Sequence, residues 1–92
     1  MSVEVSHETL AGAEKIFSPE EMYRLGIEAS TPGLGEETDL VVAHKWFNLA
    51  AMRGNEMARE YRQQLTLEMS PQQVAKAQRL AREWLSKVRP AM

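Results

Sequence analysis

Between Asp39 and Ala58 the chain reads Asp-Leu-Val-Val-Ala-His-Lys-Trp-Phe-Asn-Leu-Ala-Ala-Met-Arg-Gly-Asn-Glu-Met-Ala. Small and large apolar residues recur here at steps of three and four, which is the spacing of one face of a helix. Leu40, Ala43, Phe47, Ala50 and Ala51 make that face, with Trp46 on its flank. Thr38 or Asp39 is placed to cap the start. Gly54 suits the left-handed position after the last turn, and Asn55 can cap a helix that begins at once. The stretch therefore predicts one helix, a tight break and a second helix. It leaves a wide apolar face for a neighbour to cover.

The remaining elements follow from equally local signals. Ser18-Pro19-Glu20-Glu21 starts a helix: serine caps, proline fits the first helical position where its missing N–H has no intrahelical partner, and Glu21 closes a capping box. Met22, Leu25, Gly26 and Ala29 share a face of it. Glycine in mid-helix costs about 1 kcal/mol relative to alanine, and the expected compensation is close approach of another backbone. Thr31-Pro32-Gly33-Leu34-Gly35 ends this helix in a loop. After Asn55, the residues Met57, Ala58, Tyr61 and Leu65 predict a helix to about Met69. Ser70-Pro71-Gln72-Gln73 repeats the earlier start, and Val74, Ala77, Leu80 (or Ala81), Trp84 and Val88 carry an amphipathic helix that Pro90 stops. Residues 1–17 read as a partly ordered arm, with a short helix expected from about Ser6. No segment alternates with period two over a useful length, so no sheet is expected. The predicted fold is all-α: a short, solenoid-like α–α superhelix of two helix-turn-helix pairs. Its domain covers 18–92, with closing helices at 55–69 and 70–88.

Ninety-two residues make one small domain. There is no cysteine, which removes disulfide staples and thiol chemistry and points to a reducing compartment. No apolar run approaches the roughly 18–20 residues needed to span a bilayer, and the acidic N-terminus lacks the apolar core of a signal peptide. A soluble, cytoplasmic protein is the expectation. Charge is divided along the chain: residues 1–39 carry nine acids against two bases, a net of −7, and residues 40–92 nine bases against four acids, a net of +5. Such a division fits attraction between the halves, within the domain or across a dimer.

The stretch 21–58 also resembles a Sel-one-like repeat of bacterial type, a helix-turn-helix solenoid unit related to the tetratricopeptide repeat. Leu25-Gly26, Gly33-x-Gly35, Asp39, Ala43, Trp46-Phe47, Ala50-Ala51, Gly54-Asn55 and Ala58 carry the likeness, in order. The resemblance implies that Gly26 and Ala43 let paired helices approach. It implies further that Trp46 and Phe47 fill the space between one pair and the next, that Gly33 and Gly35 turn the loop, and that Asp39 satisfies free N–H groups. Glu21, Ala29-Ser30 and Glu36 depart from the pattern, and a second Leu-Gly would fall on Arg62-Gln63. One repeat is thus present where a solenoid usually stacks about three.

The chemistry of the remaining residues narrows the function. His7 and His44, without cysteine, form no metal-ligand spacing. There is no Ser/His/Asp arrangement, and Glu20-Glu21 and Glu36-Glu37 read as a helix start and a loop. Neither GxGxxG nor GxxxxGK[ST] occurs. No catalytic, metal or cofactor site is expected, and the chain is not expected to be an enzyme. Arg53, Arg59, Arg62, Lys76, Arg79, Arg82, Lys87 and Arg89 offer a nucleic-acid alternative. They spread over several helix faces, interrupted by Glu56, Glu60 and Glu83, so nucleic acid is disfavoured as a partner. The leading expectation is a protein–protein interaction module, a small adaptor or regulatory protein that binds another protein in a helical groove. A self-assembling domain, such as a homodimer, is the other alternative. Trp46, Phe47, Tyr61, Leu80 and Trp84 are the residues expected to line or support the surface. Met22, Met52, Met57 and Met69 suit an adaptable apolar face, and Leu80, Trp84 and Val88 would form an exposed patch if the last helix stays uncovered.

Overall fold

A computed structural model describes residues 17–31 and 39–88 of the chain. The loop at Gly33 and Gly35, the arm before Phe17, Thr38 as a cap and Pro90 as a stop lie outside the described residues. Four helices follow in order: α1 (Pro19–Ser30), α2 (Leu40–Met52), α3 (Glu56–Glu68) and α4 (Pro71–Val88). Among the described residues there is no strand. The fold is all-α.

Each helix begins where its side chains offer backbone N–H groups a partner. At α1 the Ser18 hydroxyl accepts from the Glu21 N–H at 3.0 Å, and the Glu21 carboxylate accepts from the Ser18 N–H at 2.7 Å. Ser70 and Gln73 repeat this reciprocal box at α4, at 3.1 and 2.9 Å. Asp39 caps α2 by accepting from Val42 at 3.1 Å. Its own N–H donates to the Ala29 carbonyl at 2.8 Å, tying the start of α2 to the end of α1.

The break between α2 and α3 is a compact double device. Gly54 has φ +99°, a conformation that side-chain-bearing residues adopt at a cost. Its N–H donates to Ala51 and that of Asn55 to Ala50, both at 3.0 Å. These bonds form a Schellman motif that satisfies the last carbonyls of α2. The Asn55 side chain then accepts from Ala58 at 2.7 Å and opens α3.

Packing is centred on α2, against which α1, α3 and α4 all lie. Although only Met69 and Ser70 separate α3 from α4, α4 takes its packing from α2 and scarcely touches its predecessor. The core gathers Met22, Ala43, Phe47, Leu49, Ala50, Ala58, Leu65, Met69, Ala77 and Ala81. Leu49 extends the predicted face of α2. It lies about 200° around the helix from Phe47 by the helical period, and it is buried because α2 is covered on more than one side. On α4 the alternative between Leu80 and Ala81 resolves to Ala81, which is buried while Leu80 is half-buried.

The mid-helix glycine has a different cause from the one expected. A Cβ on Gly26 would lie 2.6–2.9 Å from three ring carbons of Phe47. The space is taken by an aromatic side chain rather than by a neighbouring backbone. Gly26 and Phe47, both part of the repeat-like pattern, are thus two halves of one contact.

Candidate interaction surface and the polar seam

The six aromatic residues of the chain divide into two groups of three at adjacent positions of α2. Phe47 stacks on Tyr61 of α3, with centroids 5.3 Å apart and planes at 15°, and Tyr23 of α1 tilts against both at 5.9 Å. Trp46, one residue earlier, meets Trp84 of α4 edge-on at 5.7 Å. Phe17, just before the cap of α1, lies against both tryptophans at 5.9 and 6.3 Å. Neighbouring side chains on a helix point about 100° apart, so one dipeptide supplies a ring to each side of α2. Such pairs add about 0.5–1.5 kcal/mol beyond the apolar area they bury.

Of the residues the sequence proposed for a surface, Trp46 and Trp84 are therefore together in one group and Phe47 and Tyr61 in the other. Leu80 joins neither group and does not pack against the core. Phe47 is 0% exposed and offers no surface for direct contact. The patch expected of Leu80, Trp84 and Val88 does not form, because Val88 is buried and Trp84 is wedged between Phe17 and Trp46. The Lys45 ammonium stands 4.3 Å from the Trp46 ring centroid, within cation–π range. Its pKa is held below the ordinary 10.5 by burial and by nearby Lys87.

The exposed large apolar side chains lie elsewhere. Among the described residues they are Met52 at 58%, Met57 at 56%, Tyr61 at 38% and Leu67 at 86%. Met57 and Tyr61 are four residues apart and so share a flank of α3. Met52 precedes the Gly54 break that leads to them, whereas Leu67 points about 80–120° around α3 from them. The four methionines singled out in the sequence are split: Met22 and Met69 fill the core, and Met52 and Met57 face solvent. Composition alone did not divide them, because methionine serves both places.

On the other edge of the α2–α3 contact the two helices are joined by a polar seam. His44 and Asn48 on α2 face Thr66 and Arg62 on α3. The Arg62 guanidinium donates to the Asn48 side-chain Oδ1 at 2.7 Å. The Thr66 hydroxyl donates to the Arg62 backbone carbonyl at 2.8 Å, so its oxygen is left to accept from His44 Nε2–H at 3.1 Å. That assignment puts the imidazole proton on Nε2. His44 is 2% exposed, and its Nδ1 lone pair is buried with no hydrogen-bond partner among the described residues. Burial first, and the Arg62 charge second, hold its pKa below the ordinary 6.5.

The phenol of Tyr23 is held above its ordinary 10.0 by burial and by Tyr61 beside it. Arg59 pairs with Glu56 at 3.6 Å and Arg79 with Glu83 at 3.7 Å. Both pairs are exposed and contribute little to stability. Among the described residues no three acidic or histidine side chains converge to hold a metal ion, and no helix is long and apolar enough to cross a membrane. No family model, no curated protein and no solved structure matches the chain.

Proposed function

We propose that the chain is a single Sel-one-like repeat closed by two further helices, and that it acts as a small adaptor by binding another protein. The observation that carries this reading is the exposed flank of α3, where Met57 and Tyr61 present apolar surface beside the adjoining face of the helix, which closes the core through Ala58 and Leu65. Tyr61 is also braced from below by its stack on Phe47, so its ring is offered in a fixed orientation and little side-chain entropy is lost on contact. The order Leu25-Gly26, Asp39, Trp46-Phe47 and Gly54-Asn55 supports the relation to the repeat. A helical repeat of that kind leaves a stacking face for a neighbour.

Nucleic-acid binding is the weaker reading because three of the bases it needs are engaged inside the chain, Arg59 with Glu56, Arg62 with Asn48 and Arg79 with Glu83. The test is affinity capture from host extract with the intact chain and with Met57→Asp, circular dichroism being used to verify that helicity is unchanged. Loss of a specific protein from the variant's eluate is the expected result. An identical set of captured proteins would remove the α3 flank as the contact surface. Sedimentation of the pure chain over a concentration series distinguishes a foreign partner, which leaves its mass constant, from a second copy, which raises it.

A further inference from the structure

We propose that His44 makes the α2–α3 seam a proton-operated latch, closed when the imidazole is neutral and opened locally, by release of α3 from α2, when it takes a second proton. The inference goes beyond the adaptor reading and does not depend on it.

The geometry fixes what a proton would do. Neutral His44 donates through Nε2 to a Thr66 oxygen whose own hydrogen is committed to the Arg62 carbonyl. The only ring position left to take a proton is Nδ1, which is buried and meets no acceptor among the described residues. Protonation there buries a charge without a hydrogen bond, an expensive state that the chain escapes by exposing the ring. The charge that acts on His44 from the facing helix is Arg62, which repels a second cation, and no described carboxylate of α1, α3 or α4 acts on it. Lys45, its neighbour on α2, is directed over the Trp46 ring. Nothing in this environment compensates an imidazolium.

The element that gives way is α3. It is 13 residues long, is held mainly by α2, and is joined to α4 by a two-residue turn with little packing between them. α4 keeps its own attachment to α2 through Trp46 and Trp84. Releasing α3 breaks the Arg62–Asn48 and His44–Thr66 bonds together and uncovers Phe47 and Leu65.

The sign is fixed by linkage. The folded-state pKa lies below the ordinary 6.5 of the exposed ring, so the open form binds more protons and the closed form loses its advantage as pH falls below 6.5. Between pH 7.5 and 5.5 the opening equilibrium rises by up to about tenfold.

Amide hydrogen exchange of the intact chain, corrected for intrinsic rates, tests the latch at these two pH values, alongside an NMR titration of the imidazoles with His7→Gln to assign them. The expected result is a drop of several-fold, up to about tenfold, in protection across residues 56–68, with smaller changes in α1 and α4, and loss of this pH dependence in His44→Gln. The His44 ring is expected to titrate below 6.5 in the wild type, a readout that holds even if the variant fails to fold. A His44 pKa at or above 6.5, an equal loss of protection in all four helices, or an unchanged pH response in a folded His44→Gln would overturn the proposal.

Discussion

Gly26 and Phe47 show how one contact decides the worth of a residue. In isolation Gly26→Ala gains about 1 kcal/mol of helix propensity. In this fold the new methyl meets the Phe47 ring at 2.6 Å, and that ring is pinned between Tyr23 and Tyr61 with no exposed surface. Overpacking a filled site costs about 1–3 kcal/mol, and a clash with a pinned ring belongs at the upper end. Gly26→Ala is therefore expected to lower stability by about 1–2 kcal/mol, measured as a fall in the urea midpoint. In a Phe47→Leu background the same substitution should cost less, with a coupling between the sites of at least about 0.5 kcal/mol. Additive effects would mean that the ring is free to move aside. The glycine was visible in the sequence as an anomaly. Its cause was not, because nothing local distinguishes a backbone from a ring 21 positions further along.

At the scale of elements, the caps carry their own instructions. Ser18 with Glu21, Ser70 with Gln73, and Gly54 with Asn55 form the bonds their residue types predict, and the observed helix limits follow from these contacts within a few residues of sequence. Asn55→Ala removes the acceptor for the Ala58 N–H and is expected to cost about 1 kcal/mol in thermal or urea unfolding. Gly54→Ala keeps that cap but forces a methyl into positive φ, a cost of roughly 1–2 kcal/mol. If Gly54→Ala left the midpoint unchanged, the left-handed turn would not be the device that ends α2. Partner choice between helices was less legible. Val41, Val42, Trp46 and Leu49 make α2 apolar on nearly every side; such a pattern announces burial but gives no direction. α4 declared its inner face through Ala77, Ala81, Trp84 and Val88, yet not that α2 rather than α3 would meet it.

For the whole molecule, α2 is the shared wall of two unequal halves. On one side the Tyr23–Phe47–Tyr61 group and the polar seam bind α1 and α3 to it; on the other Phe17, Trp46 and Trp84 hold α4. Trp84→Ala is accordingly a change to the packing of α4. Because the ring is only half-buried, its cost should fall below the ~3–5 kcal/mol of a fully buried tryptophan, with the loss of hydrogen-exchange protection concentrated in residues 71–88. Exposure was partly legible: Tyr61, Met52 and Met57 were in view and are exposed, but for Trp84 and Leu80 a large apolar residue at helical spacing looks the same whether a neighbour covers it or not. The proposed interaction surface is the α3 flank. A photo-crosslinking amino acid at position 57 of the chain, compared in host cells with one at the exposed position 75 of α4, tests that placement most directly. The expected result is a discrete protein adduct from position 57 and none from position 75; adducts from position 75 alone, or none from either, would contradict that placement.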